Sequence, residues 1–182
     1  MKRYTTTPPD ATEPIRIEQV FAEKPGGGLV EDPGFDVPES TAVYRKDNGK
    51  YAVIKAYRLE AAVKTADTTI KVSKGSGVKA GDILAYGKKG VACTAVKSEK
   101  DYDTVTVTMG VEIPAGAVLY QAKEASASDA VPAGTPVYVT GNTLYGGLGE
   151  QPLRLVNGAN LRRETACVGE DIANAMKNIT LV

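Results

Sequence analysis

Four parts of this 182-residue chain carry residue types at spacings that could do chemistry. Gly26, Gly27 and Gly28 form a run able to cradle a phosphate. The Gly-Lys-Ser/Thr ending of a phosphate loop does not follow, and no clear buried strand precedes it, so a flexible joint is expected instead. Gly146, Gly147 and Gly149, in Leu-Tyr-Gly-Gly-Leu-Gly-Glu-Gln, lack the strand and helix of a dinucleotide site and read as a turn. Glu99, Asp101 and Asp103 alternate as weak calcium ligands would. The Gly and distal Glu of a calcium loop are missing, which leaves a solvated hairpin tip. Cys93 and Cys167 are too few for a structural zinc site. Each sits in an apolar stretch and reads as a small buried residue in a reducing compartment, in preference to a disulfide.

The chain contains no histidine. That removes the usual general base at neutral pH, the Ser-His and Cys-His nucleophile systems and the commonest transition-metal ligand. The expectation is a protein that is not an enzyme and holds no cofactor or metal. A hydrolase built on Asp and Glu alone is the rival that survives these arguments. The 22 basic and 22 acidic residues cancel, which argues against nucleic acid as a partner. Lys71, Lys74, Lys79, Lys88 and Lys89 alternate with strand residues and read as an outward face, with no aromatic series for base stacking. No segment is apolar for long enough to span a membrane. The first residues lack the apolar stretch of a signal peptide, so use without Sec export is expected. The Asn178-Ile179-Thr180 glycosylation pattern is then idle.

The elements that must position these residues are mostly strands. There is no Trp and only 2 Phe, while Gly numbers 19 and Pro 10, a composition suited to a turn-rich β protein. Residues 1 to about 40 read as an extended arm, broken by Pro and Gly too often for a helix to propagate. A short strand is expected in Ile-Arg-Ile-Glu-Gln-Val-Phe. Such an arm buries too little to order itself alone. Asn48-Gly49, Gly141-Asn142 and Asn157-Gly158 each separate strand-like runs and read as hairpin turns. In the runs around Thr69 and Thr106, Ile70, Val72, Val105 and Val107 should face inward.

A short phrase recurs three times: Val-Lys-Ala-Gly-Asp-Ile-Leu-Ala-Tyr from Val78, Ile-Pro-Ala-Gly-Ala-Val-Leu-Tyr from Ile113, and Val-Pro-Ala-Gly-Thr-Pro-Val-Tyr from Val131. Each delivers an apolar run through an Ala-Gly corner, where Gly supplies backbone freedom. Three such corners would let a short twisted sheet fold over into a small barrel or sandwich. A two-turn helix is expected near 169–177, with Glu170 and Asp171 at its positive end and Ile172 and Met176 on one face.

The span from Thr65 to Ala122 resembles a module of head fiber and capsid decoration proteins of tailed phages and prophages. The matching features are Asp-Thr-Thr-Ile-Lys-Val, Val-Lys-Ala-Gly-Asp-Ile-Leu, Tyr-Asp-Thr-Val-Thr-Val and Ile-Pro-Ala-Gly-Ala-Val-Leu-Tyr. The ending from Thr165 to Val182 looks like the way such chains close, so the resemblance covers roughly residues 57–182. It implies a structural protein on the outside of a virion, made in the host bacterial cytoplasm, contacting the major capsid protein and forming a homo-trimer. It carries over no functional residues.

Together these readings give an all-β fold: a small barrel or sandwich of short antiparallel strands, an extended N-terminal arm and one short C-terminal helix. Residues 1–56 would hold the arm and first hairpin, facing the capsid, and 57–182 the projecting domain. Ile15, Ile17, Val20, Phe21, Leu29 and Phe35 would be buried on the partner by coupled folding and binding. Ile172 and Met176 would supply an oligomer contact, with packing on their own domain as the plainer alternative. The rival function is a carbohydrate- or receptor-binding module of a tail fibre or bacterial surface protein, with Tyr138 and Tyr145 as a glycan platform.

Overall fold

The structure is a computed structural model that describes residues 14–182. The chain is all-β with one short helix. It begins with β1 (Ile17–Glu23), β2 (Gly28–Val30), β3 (Ala42–Arg45) and β4 (Tyr51–Val53). A middle segment follows, made of β5 (Ala56–Arg58), β6 (Thr69–Ser73), β7 (Ile83–Tyr86), β8 (Lys89–Ala92), β9 (Ala95–Ser98), β10 (Tyr102–Thr106) and β11 (Val118–Gln121). The chain closes with β12 (Pro136–Thr140), β13 (Gln151–Leu153), β14 (Leu155–Leu161), α1 (Glu170–Ala175) and β15 (Ile179–Leu181).

The first and last groups of strands make one eight-stranded sheet, ordered β1-β14-β12-β3-β4-β2-β13, with β15 parallel to β14. β13 runs through Arg154 directly into β14, so the sheet curls back towards its other side. The middle segment makes two small antiparallel sheets, β6-β10-β9 and β5-β11-β7-β8. These two face each other across a core drawn wholly from residues 57–119, including Tyr57, Ile70, Val72, Leu84, Val105, Met109 and Leu119. Alternation placed Ile70, Val72, Val105 and Val107 inward, and all four are buried. A second core joins Ala85, Tyr120 and Ala122 to Val139, Val156, Ile172 and Met176 of the large sheet and helix. The middle segment is thus an inserted sandwich fused to the large sheet.

This topology corrects the expected boundary at residue 56. β1 pairs with β14, and β2 with β13 and β4. Residues 14–53 therefore share a sheet with the C-terminal third of the chain rather than forming a separate partner-facing unit; residues 1–13 lie outside the described part. The surface that orders the described arm is the chain's own. Ile17 and Val20 pack against the second core, and Phe35 packs against a third core around Val37, Leu144 and Leu155. Ile17, Val20 and Phe35 are half-buried against the chain's own cores. Ile15, Phe21 and Leu29 remain outward, Ile15 and Phe21 at 56% exposure each.

The glycine run expected to be a joint is a tight corner between β1 and β2. Gly26 and Gly27 adopt left-handed φ of 74° and 61°, and a Cβ on Gly27 would overlap the Leu153 carbonyl. The helix is shorter than expected. Ile172 (3% exposed) and Met176 (7%) are buried in the chain's own core, so they offer no oligomer surface. Asp171 caps the neighbouring β7–β8 turn by accepting a 2.8 Å hydrogen bond from Gly87 N–H.

Candidate functional site

A cleft of about 470 Å³ lies between the large sheet and the inserted sandwich, within the ~300–1,000 Å³ range of small-molecule sites. Seven separated segments line it, among them the stretch before β1 with Pro14 and Arg16 and Val118 of β11. The loop before β3 gives Phe35, Asp36 and Thr41; the β4–β5 crossing gives Lys55, and β5 gives Arg58. The β6–β7 turn gives Lys74 and Ser76, the β12–β13 loop gives Thr143 and Tyr145, and the segment before α1 gives Cys167.

Phe35 sits where several of these segments meet. Its ring lies against Gly77, where a Cβ would come within 2.5 Å, and its backbone lies against Gly146, where a Cβ would overlap it. Lys55 Nζ sits 5.9 Å from the ring centroid. Glycines are needed at 77 and 146 because the backbone there must approach an aromatic residue and its chain so closely.

The cationic side chains of the wall are engaged with the protein itself. Arg58 donates to the carbonyls of Gly116 (2.7 Å), Arg163 (3.2 Å) and Ala166 (2.5 Å), tying the sandwich to the C-terminal segment. Burial is the main reason its pKa lies below the usual guanidinium value. Lys55 donates to Asp82 at 2.7 Å, with only 15% and 13% of the two side chains exposed. Asp82 also accepts from Tyr57 Oη at 3.2 Å and from Lys79 N–H at 2.9 Å. Burial first, and the Asp82 charge second, push the Tyr57 phenol far above its ordinary value. It remains a neutral donor and not a base. Lys74 donates to Asp103 at 2.9 Å, which satisfies one of the three carboxylates read as a hairpin tip. Asp103 lies in β10, behind that tip.

One wall rests on a buried polar knot. Ser40, fully buried, holds a left-handed φ of 66°, rare outside glycine. Its N–H donates to Thr140 O at 2.7 Å, and its Oγ accepts from Cys167 N–H at 2.9 Å. Thr41 and Thr140 hydroxyls both donate to Pro38 O at 2.9 Å. These bonds over-determine the strained residue, as strain in a native fold requires. Both cysteines are free thiols. Cys93 is buried, which raises its pKa, while Cys167 is half-buried at the cleft.

The turn expected at Gly146–Gly149 is a loop held by two carboxylates. Asp32 accepts from Gly34, Gly147 and Gly149 N–H at 2.8, 3.0 and 3.1 Å, and Asp36 accepts from Gly146 N–H at 3.0 Å. Those backbone bonds, that from Gly147 first, hold the Asp32 carboxyl below its usual pKa. A depressed folded-state pKa means the restraint is complete above the unfolded value and is lost as pH falls through the folded one. Asp32→Ala is expected to speed amide exchange at Gly147 and Gly149 at neutral pH while leaving Val105 in the sandwich core protected. Unchanged exchange at both glycines would show that the carboxylate does not order the loop.

Of the two tyrosines expected to offer a glycan platform, Tyr138 is turned into the third core, edge-to-face with Tyr51 at 5.8 Å. Tyr145 is 55% exposed at the cleft rim. Sequence reasoning missed Arg58, Ser76 and Asp36. The Gly75-Ser76-Gly77 bracket was the one local signal: two left-handed glycines fix the backbone on either side of the serine. Among the described residues no group of three or more Cys, Asp or Glu is placed to hold a metal ion, and no helix is long and apolar enough to cross a membrane. Comparison of the chain with family models, curated proteins and solved structures finds no match.

Proposed function

We propose that this chain is a non-enzymatic structural protein of the head fiber kind, decorating the outside of a phage or prophage capsid and acting by attachment and oligomerisation. The observation that carries the reading is what the arm leaves outside once β1 and β2 are paired. Phe21 lies over Gly158 on the edge strand β1 with more than half its surface in solvent. Ile15 and Leu29 are also outward. An open sheet edge that carries an exposed aromatic offers another protein both unpaired main chain and apolar surface, which supports this reading. Attachment is then contact between preformed surfaces, and the coupled folding of a loose arm is set aside for residues 14–40. The major capsid protein is the partner and a homo-trimer the assembly.

The test is binding to assembled heads, with mass by light scattering. Wild-type protein should measure three times the chain mass and co-sediment with heads. Phe21→Glu should abolish co-sedimentation with no change in melting temperature. Retained binding by Phe21→Glu, or turnover of a small molecule by the pure protein, would sink the reading.

A further inference from the structure

We infer that the cleft between the large sheet and the sandwich is a binding site for a neutral saccharide, distinct from the outward face of β1. Three observations select this ligand class. First, the cations that line the cleft are already engaged: Lys55 with Asp82, Arg58 with three carbonyls, Lys74 with Asp103, and Arg16 is likewise not free. An anion would have to compete with those bonds, so the wall does not select a phosphate or an acidic sugar. Second, the polar groups that remain are of the kind that meets a hydroxyl. Asp36 uses Oδ1 for Gly146 N–H, and its second oxygen can accept from a sugar hydroxyl. Ser76 Oγ is buried and makes no hydrogen bond to any described residue. Ser76 lines the cleft, and a ligand group that reached its hydroxyl would remove the cost of leaving it unsatisfied. Third, the lining is predominantly apolar and includes Phe35 and the exposed Tyr145. A pyranose offers both kinds of surface: hydroxyls around its edge and a C–H face that lies flat on an aromatic ring.

The loop geometry supports a preformed site. Tyr145 precedes the amides held by Asp32 and Asp36, and its own N–H is fixed by Gln151 at 3.1 Å. A backbone held this way loses little freedom on binding.

The experiment is titration of the full chain with neutral monosaccharides and disaccharides, followed by amide chemical shifts, beside a glycan array for the wider class. At least one neutral sugar should shift the amides of Gly75 to Gly77 and of Tyr145. Tyr145→Ala should weaken binding by about tenfold or more, as loss of an aromatic anchor does. Ser76→Ala should weaken it less, with both variants melting as the wild type does. Phe21→Glu should bind the sugar normally, which separates this site from the attachment face. The inference is overturned if no neutral sugar shifts those amides, if only charged sugars or nucleotides bind, or if the shifts map elsewhere. Should Tyr145→Ala fail to fold, the shift map of the wild-type protein decides alone.

Discussion

Gly27→Ala should lower the unfolding free energy by roughly 3 kcal/mol, and Gly26→Ala, one position away, by only about 1 kcal/mol. Both residues are left-handed, at φ of 61° and 74°, so both variants carry the steric cost of an L side chain there. The difference lies in the space each new methyl group meets. Nothing comes within 4 Å of a Cβ on Gly26, whereas a Cβ on Gly27 overlaps the carbonyl oxygen of Leu153. That oxygen belongs to main chain in β13, which cannot swing aside as a side-chain tip can. Relief must come from moving β2 away from β13, a ladder running from Gly28–Leu153 to Val30–Gln151. Urea unfolding with an unchanged slope would give the two costs directly. Equal costs would mean that the corner is slack and that β1 and β2 are held less firmly than their ladders indicate.

That contrast bears on what the arm is. A tether would tolerate an alanine at either glycine, because a flexible chain has no neighbour to strike. A corner built into a curled sheet does not. The expected asymmetry therefore distinguishes an attachment segment that folds on its partner from a preformed surface that presents Phe21.

What the sequence made legible follows the range of the interactions involved. Alternation in Thr69–Ser73 and Tyr102–Thr106 named the buried valines and Ile70, because period-2 burial is local to a strand. The Asn48-Gly49 turn joins β3 to β4, and Gly49 is left-handed at 80°. The same dipeptide at Asn157-Gly158 lies in the middle of β14. There Gly158 answers a different need: a Cβ would come within 2.9 Å of Ala22 and 3.0 Å of the Phe21 ring. Gly141-Asn142 also makes no hairpin. Gly141 N–H bonds to Arg154 O, and Asn142 Oδ1 accepts from Arg154 N–H, so the chain leaves β12 to bridge Val37 through Leu144. A dipeptide reports that a backbone position is special but not whether the cause is a turn or a close neighbour.

The repeated phrase teaches the same lesson within one motif. Gly81 and Gly116 are left-handed, at 92° and 79°, as a sharp corner requires. Gly134, in the third copy, does not have a left-handed φ. It is glycine because the Tyr44 ring occupies the place of its side chain. The corner at Lys79–Asp82 is closed by Asp82, whose carboxylate accepts from Lys79 N–H at 2.9 Å while its own N–H donates to Lys79 O at 3.0 Å. Lys64 and Asp67 make the same pair of bonds, at 2.7 and 3.1 Å. A Lys-x-x-Asp spacing was thus a readable turn signal. The cleft was not readable, because Phe35, Arg58, Ser76, Tyr145 and Cys167 meet only after β1, β2 and β3 have joined strands more than 80 residues further on. No local period encodes that meeting.

Asp82 does more than close a turn, and removing it should be among the costliest single changes in the chain. Asp82→Ala is expected to destabilise by about 3 kcal/mol or more, because it leaves a largely buried Lys55 ammonium without its counter-charge. It also deprives Tyr57 Oη and Lys79 N–H of their shared acceptor. Lys55→Met alone should cost less, since Asp82 keeps two of its three donors and the methionine stem can still lie against Phe35. The double variant should then be more stable than the sum of the two single losses by ~1 kcal/mol or more, the coupling expected of groups in one network. Additivity within about 0.5 kcal/mol, measured by chemical denaturation, would mean that the pair is solvated in solution and contributes little. The coupling matters beyond stability. Lys55 stands in the two-residue crossing from β4 to β5, where the chain leaves the large sheet for the sandwich, and Asp82 stands in the sandwich. Their ion pair is one tie between the two bodies, and Lys55 itself lines the cleft. A variant with the pair broken but the fold retained should therefore lose the saccharide shifts at Tyr145 even though Tyr145, Ser76 and Asp36 are all still present.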